Sequence, residues 1–214
     1  MADVVTSEAL ADWLTEFARL VHTERDQLTA LDAAIGDADH GSNMDRGMTA
    51  VLGVLPSVRT EPPAALLKKV ASTLISSVGG ASGPLYGTFF LRMATSAGAA
   101  PELDGPAFAA ALRAGMAGVA ARGKAELDDK TMLDALSPAL DALEGALAGG
   151  AALVDALAIA ATAAAHGRDH TVGLLARKGR ASYLGERSVG HQDPGATSAA
   201  LLLAATAHIG TAAA

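Results

Sequence analysis

The chain has 214 residues and a mass of 21.3 kDa, which fits one domain or at most two small ones. It lacks cysteine, so a disulfide framework, a zinc–thiolate site, an iron–sulfur cluster and a cysteine nucleophile are excluded. With a net charge of −7 it has no basic footprint for nucleic acid, and no run of about 18 apolar residues predicts a transmembrane helix. Residues 1–10 lack the order of a signal peptide, so we expect a cytoplasmic protein that binds neither nucleic acid nor membrane.

The composition predicts an all-helical fold. Ala and Leu are strong helix formers and number 51 and 28, against 12 Val and 4 Ile. Apolar residues recur at helical spacing over 10–21, 44–55, 67–78, 85–97, 108–119, 133–147, 153–165 and 196–209, and a short helix is expected near Arg177. Linkers are short, and no Pro/Ser-rich run divides the chain. We therefore predict an all-α bundle of about eight helices in a single domain over residues 1–214.

Local signals mark several helix ends. Ser7 is a candidate N-cap for the first helix, and Pro56 stops the second. Gly149 and Gly150 end the Leu-rich stripe, and Gly167 suggests the end of the helix after it.

Three aspartates are crowded into the first polar stretch, residues 31–44. Asp32, Asp37 and Asp39 repel one another unless cations bind between them, and Mg²⁺ prefers such oxygen ligands. Asp37 and Asp39 would point the same way if the segment is extended. An EF-hand is excluded, because its Gly and Glu positions hold Ser42 and Met48. A solvated loop with Asp helix caps stays open as the alternative.

The second polar stretch, residues 76–88, is rich in glycine and leads into a helix. Gly79 and Gly80 allow backbone N–H groups to approach an anion, and the helix N-terminus adds a favourable dipole. No Gly-Lys-Ser/Thr follows, so this is not a Walker A loop. A tight turn between helices is the competing interpretation.

Basic residues stand out in two further stretches. Residues 122–132 alternate in charge, which indicates a solvated loop with a helix cap at Asp129 or Thr131. Residues 177–196 hold four basic residues, of which Arg180 or Lys178 suits phosphate oxygens, and Asp193 to Gly195 predict a turn that opens the last helix. The first and fourth stretches together suggest an anion held by metal on one side and by arginine on the other, as phosphoryl transfer requires.

Two other catalytic patterns fail. His166 and His170 stand four residues apart, but Gly167 occupies the position at which a zincin needs Glu. Ser182 and Ser188 precede His191, yet no strand–elbow context supports a serine hydrolase.

The four stretches together make the sequence resemble the L subunits of dihydroxyacetone kinases, the DhaL family. The matching segments occur in the family's order across nearly the whole chain, at residues 35–41, 77–85, 123–126 with 129–132, 178–188 and 190–197. One departure is Asp128, which stands where the family has Gly before Asp-Lys-Thr. This puts the backbone of the third loop in question, because Gly adopts positive φ more freely than Asp.

The resemblance implies an eight-helix antiparallel barrel with a nucleotide among the loops at one end. It implies that Asp32, Asp37 and Asp39 bind two Mg²⁺ ions, and that Arg180 is the catalytic arginine near the phosphates. The nucleotide-binding positions that it implies are His40, Gly41, Ser42, Asn43, Gly79, Gly80, Ala81, Ser82, Gly123, Met132, Arg180, Asp193, Pro194 and Gly195.

The resemblance also implies a reaction and partners. A phosphoryl group passes from the bound nucleotide to dihydroxyacetone held on a separate K subunit, and bound ADP is rephosphorylated by an M subunit that relays phosphate from phosphoenolpyruvate. An ATP-dependent kinase subunit with exchangeable nucleotide stays open, as do an all-helical Mg²⁺-dependent hydrolase and a non-catalytic nucleotide-binding protein.

Overall fold

The computed structural model describes residues 4–209 and confirms the all-α prediction. The first three and last five residues of the predicted 1–214 domain lie outside the described residues. The nine α-helices of the described range are α1 Ser7–Thr23, α2 Arg25–Ile35, α3 His40–Val54, α4 Pro63–Ser77, α5 Ser82–Ala97, α6 Gly105–Gly123, α7 Leu133–Ala148, α8 Leu153–His170 and α9 Pro194–Ala204. Four 3₁₀ segments, Leu55–Ser57, Thr171–Gly173, Arg180–Ser188 and Ala205–His208, and a two-strand pair, β1 Val4–Val5 with β2 Leu103–Asp104, complete the fold.

The helices form a closed ring. From α3 to α9 each helix packs on its chain neighbour, and α9 returns to contact α1 and α2. One continuous apolar core runs through the ring, and Trp13 lies within it, with its indole Nε1 donating to the carbonyl of Leu202 on α9 at 2.8 Å. The ring places the ends of six helices around one cavity, as described below. No helix of the described range is long and apolar enough to cross a membrane.

The structure corrects several local predictions. Thr6, not Ser7, is the N-cap of α1, and its side chain accepts from the N–H of Ala9 at 3.2 Å. The helix expected near Arg177 is the 3₁₀ segment Arg180–Ser188. Helix α8 continues through Gly167 to His170. Gly167 serves close packing there, because a Cβ on it would lie 2.0 Å from the carbonyl oxygen of Asp134.

Helix α2 was not predicted at all. Its buried positions are Leu28, Asp32 and Ile35, which follow helical spacing. The central one is charged, so the apolar pattern is broken and the segment resembles a loop. Pro56 and Gly149 do mark helix ends as expected, since α3 stops at Val54 and α7 is capped by Gly149.

Candidate functional site

A cavity of about 410 Å³ opens where α2 and α6 end and where α3, α5, α7 and α9 begin. It is large enough for a small-molecule ligand or cofactor. Most of the predicted site residues line it, and they come from all four polar stretches of the sequence. Those in the wall are Asp32, Asp37, Asp39, His40, Gly79, Gly80, Ala81, Ser82, Gly123, Met132, Arg180, Asp193, Pro194 and Gly195.

Three of the predicted nucleotide-binding residues do not line the cavity. Gly41 packs α3 on α2, since a Cβ there would lie 2.0 Å from the carbonyl oxygen of Arg25. Ser42 is exposed and donates to the carbonyl of Asp39 at 2.9 Å. Asn43 is buried against Gly79. A Cβ added to Gly79 would lie 2.7 Å from Oδ1 of Asn43. A ligand role for these three residues stays a prediction.

The three aspartates lie close together where α2 ends and α3 begins. Each offers a carboxylate oxygen, and these atoms all lie within 4.8 Å of one another. Asp32 stands on the last turn of α2, where its Oδ2 accepts from the N–H groups of Asp39 at 2.8 Å and His40 at 3.1 Å. Both bonds hold the start of α3 against the carboxylate.

A bend in the chain, and not an extended segment, brings Asp37 and Asp39 together. Ala38 between them has a φ of +62°, which reverses the chain. Gly36 precedes the turn, and a Cβ there would lie 2.0 Å from Oδ1 of Asp32. The carboxylates therefore converge because glycine permits a close approach that no other residue allows.

The donor set of this aspartate cluster fits a hard divalent cation. Carboxylate oxygens are the ligands that Mg²⁺ prefers, and three negative charges this close need compensation. Among the described residues, the ion pair to this cluster comes from Arg180, whose Nε lies 2.9 Å from Oδ2 of Asp37. Two of the three negative charges are left for bound cations.

The glycine loop faces the aspartate cluster across the cavity. Gly80 has a φ of +63°, and α5 begins at Ser82 with no side-chain hydrogen bond to its N-cap end. The first N–H groups of a helix lack partners within the helix and carry the positive end of its dipole. This end of α5 is therefore available to an anion in the cavity.

His40 is buried behind this loop. Its Nδ1 lies 3.1 Å from Oγ of Ser82, and its Nε2 lies 2.9 Å from Oγ of Ser198 on α9. The Oη of Tyr86 also donates to Ser198, at 2.8 Å. Burial lowers the pKa of His40, and the nearby Asp32 and Asp39 carboxylates oppose that shift. Sequence reasoning did not single out Tyr86 or Ser198, because their partners lie on other helices.

The third stretch is more structured than a solvated loop. Asp128 has a φ of +67°, so this position does demand the backbone that glycine adopts easily, and Asp adopts it here. Neither Asp129 nor Thr131 is the N-cap of α7, which is Met132. Instead Asp134 accepts from the N–H groups of Asp128 at 2.6 Å and Thr131 at 2.7 Å. Lys130 is buried in the same loop and was also missed.

The rest of the cavity wall consists of apolar residues and Asp193. The apolar lining is formed by Ile35, Pro84, Leu85, Val119, Met132 and Leu133. Asp193 is the N-cap of α9, as the turn signal indicated, and its Oδ2 accepts from the N–H of Ala196 at 2.7 Å. Burial raises the pKa of Asp193 to about 7. This combination of apolar wall, anion-binding loop and carboxylates suits a ligand with a flat apolar part and phosphates.

Comparisons with known proteins agree with this geometry. Residues 34–208 match the DAK2 domain family. The ADP-binding subunit DhaL of the phosphoenolpyruvate-dependent dihydroxyacetone kinase of Escherichia coli is 45% identical over 91% of this chain and 92% of its own length. The corresponding subunit of the PTS-dependent kinase of Lactococcus lactis is 42% identical, over 93% of this chain and 95% of its own length.

A solved structure shares the architecture. The dihydroxyacetone kinase from C. freundii, in complex with AMP-PNP and Mg²⁺, superposes with a TM-score of 0.71 at 28% identity, over 92% of this chain. This chain spans 33% of that larger protein. The chain therefore belongs to the DAK2-domain family of phosphotransferases, among the DhaL subunits of dihydroxyacetone kinases.

Proposed function

We propose that this chain binds Mg²⁺ and an adenine nucleotide in the cavity and serves as the nucleotide-carrying subunit of a dihydroxyacetone kinase. One observation carries the proposal. The aspartate cluster, with its ligand atoms within 4.8 Å of one another, lies in the same cavity wall as the uncapped start of α5. The names of the relatives, which are ADP-binding subunits, support the choice of nucleotide.

Asp32, Asp37 and Asp39 would hold two Mg²⁺ ions. Three carboxylates against four positive charges leave a site that attracts an anionic nucleotide. Bound Mg²⁺ neutralises phosphate oxygens and fixes their orientation for transfer.

The chain's own residues complete the binding site in this proposal. Backbone N–H groups from Gly79 to Ser82 donate to phosphate oxygens, and the apolar wall around Leu85 and Met132 encloses the base. Arg180 neutralises charge on the phosphoryl group as it moves, since a guanidinium offers a bidentate fork to phosphate oxygens. The chain needs no nucleophile, because transfer to the acceptor can be direct.

The acceptor in this proposal is dihydroxyacetone held on a separate K subunit. ADP then stays bound and is rephosphorylated in place by a phosphoenolpyruvate-fed M subunit. The phosphoenolpyruvate- and PTS-dependent names of the relatives support this donor. An exchangeable ATP is the alternative, and the AMP-PNP complex of the C. freundii kinase supports it. A cytoplasmic location stays a prediction.

The nucleotide content of the purified chain tests the proposal. The protein is dialysed with Mg²⁺, quenched in acid and analysed for adenine nucleotide by chromatography, with and without a chelator. Near-stoichiometric ADP that only chelation removes supports a resident coenzyme. An empty site that binds ATP reversibly supports the exchangeable alternative. If neither nucleotide binds, the proposal fails, and release of inorganic phosphate from small substrates becomes the next assay, for the hydrolase.

A further inference from the structure

Lys130 is a lysine whose side chain is inside the protein, with 1% of the residue exposed. Its Nζ donates to three main-chain carbonyls, those of Thr171 at 2.7 Å, Leu174 at 3.2 Å and His191 at 2.5 Å. An ammonium has three N–H donors, whereas a neutral amine has two. Three carbonyl acceptors therefore favour the charged form.

The three carbonyls belong to the two ends of one loop. Thr171 and Leu174 follow α8 directly, and His191 stands just before α9. Residues 175–190 lie between them and carry Arg180. The Lys130 ammonium thus joins the departing and returning chain at the base of the Arg180 loop, as we call residues 175–190. Two further bonds join the same ends: the N–H of Gly190 donates to the carbonyl of Val172 at 2.8 Å, and the N–H of Asp193 donates to Oγ1 of Thr171 at 3.0 Å.

Several other contacts hold the outer part of the Arg180 loop. Ala176 and Ala181 are its buried apolar residues, and they form a small cluster with Ile35 of α2, separate from the main core. The N–H of Ala176 donates to Oγ of Ser188 at 3.0 Å, and the N–H of Arg177 donates to the carbonyl of Asp129 at 3.0 Å, next to Lys130. The three bonds of the Lys130 ammonium add to these contacts at the base of the loop.

Burial and nearby carboxylates act on Lys130 in opposite directions. Burial lowers the pKa of Lys130, and the carboxylates of Asp193 and Asp134 oppose that shift. A buried ammonium is costly unless its protons are all used, so the three carbonyls must stay in place to satisfy it.

We propose that Lys130 is a positioning residue, which holds the two ends of the Arg180 loop together and thereby aims Arg180 at the aspartate cluster. The inference rests on the proposed function, because it acts through the role given to Arg180. Lys130 also lines the cavity, but its three Nζ donors go to the carbonyls at the ends of the loop, so the role proposed for it is positional.

Proteolysis tests the clamp without any assay of function. Lys130→Met keeps an unbranched side chain one atom shorter and removes all three donors. The loop offers trypsin three exposed sites, at Arg177, Arg180 and Arg187. We expect trypsin to cut the loop of the folded variant about tenfold faster than that of the wild type, because cleavage follows the population of open loop.

Lys124→Met is the matched control, since Lys124 is an exposed residue of the same third stretch. We expect wild-type cleavage rates in it, read from the loop fragments by mass spectrometry. Equal loop cleavage in Lys130→Met and Lys124→Met would overturn the clamp.

A double-mutant cycle tests the link to Arg180. In single-turnover transfer to dihydroxyacetone with the K subunit, we expect Lys130→Met to be roughly 10²-fold slower than the wild type, the scale of a small misplacement of a catalytic group. In an Arg180→Met background, Lys130→Met should cost no further rate, because the group that it positions is gone. Independent, multiplying losses overturn the proposal, as does a wild-type rate in the single variant.

Failure of the proposed function and failure of the Lys130 proposal can be told apart. If the wild type transfers no phosphoryl group, the proposed function fails, and the trypsin result still decides whether Lys130 holds the loop. If Lys130→Met does not fold, Lys130→Gln retains two N–H donors and takes its place. In the wild type, a clamped ammonium gives a slowly exchanging Nζ proton signal that disappears in Lys130→Gln. Absence of that signal from the wild type overturns the proposal.

Discussion

The Nε of Arg180 lies 2.9 Å from Oδ2 of Asp37, so the arginine expected to meet phosphate and a carboxylate expected to meet Mg²⁺ form an ion pair. The Arg180 side chain is 68% exposed, and solvent screens such a pair. In the proposed function, Mg²⁺ bound to the aspartate cluster would compete for the same carboxylate. The guanidinium would then be free to direct its donors to phosphate oxygens. Asp37 would thus link the loading of the proposed metal site to the placement of the arginine.

Removing Arg180 should separate nucleotide binding from transfer. We expect Arg180→Met to keep Mg²⁺-dependent ADP, because Asp37 loses a competing cation. Transfer to dihydroxyacetone should fall steeply, since such arginines contribute roughly 10³–10⁵ in rate in some phosphoryl-transfer enzymes. Equilibrium dialysis and single-turnover kinetics measure the two effects. Arg187→Met, in the same 3₁₀ segment but outside the cavity wall, is the control. Equal loss of binding and transfer in Arg180→Met would contradict the assigned role.

Removing one carboxylate from the aspartate cluster should release the nucleotide. Asp37→Asn keeps the shape of the side chain and deletes one charge. We expect Mg²⁺-dependent ADP affinity to fall by more than about 10–100-fold, the usual cost of losing a group that only supports a metal ligand. Asp45→Asn is the control, because Asp45 pairs with His22 on the surface at 3.0 Å. Retention of tight ADP by Asp37→Asn, measured by calorimetry, would rule out the metal assignment.

Asp193 should make the ligand-free protein less stable as pH rises. Its pKa is about 7 in the folded state, against an ordinary value of 3.8 for an exposed aspartate, because burial disfavours the carboxylate. Between these values the folded state binds more protons than the unfolded state, so the free energy of unfolding decreases with increasing pH, by about 1.4 kcal/mol for each unit of pKa difference. Asp193→Asn removes this titration and should gain stability relative to the wild type between pH 5 and pH 8.

Urea unfolding in the presence of a chelator measures this difference. Asp104→Asn is the matched control, since Asp104 is the exposed N-cap of α6 and accepts from the N–H of Ala107 at 2.8 Å. The same pH response in both variants would show that burial of Asp193 is not the cause.

Two glycine substitutions should change stability in opposite directions. Gly167→Ala would place a Cβ 2.0 Å from the carbonyl oxygen of Asp134, so α8 must move from α7 at a cost of about 1–3 kcal/mol. Gly53 lies on α3 with no atom within 4 Å of its added Cβ, so Gly53→Ala should stabilise by about 0.5–1 kcal/mol. Thermal unfolding measures the stability of both variants. A destabilisation of equal size in Gly167→Ala and Gly53→Ala would contradict the packing argument.

The sequence determined the helical class and most of the site. Ala and Leu at helical spacing predict a helix wherever one face is uniformly apolar. This pattern predicted every α-helix of the described residues except α2. There the buried face includes Asp32, whose charge hides the periodicity. The aspartates and the glycine loop were visible because their side-chain chemistry is concentrated in short stretches of chain.

Only the tertiary structure decided which polar groups are buried and what they contact. Lys130 stands in a charged stretch that indicates solvent exposure, and Asp134 stands in the first turn of the helix after it, yet both are buried. Lys130 bonds to the carbonyl of Thr171, 41 residues away, and no local pattern reports such a contact. Likewise, Tyr86 reaches Ser198 across 112 residues of sequence. Burial and long-range hydrogen bonding depend on how the helices close into a ring, and that closure brings the ends of six helices around one cavity.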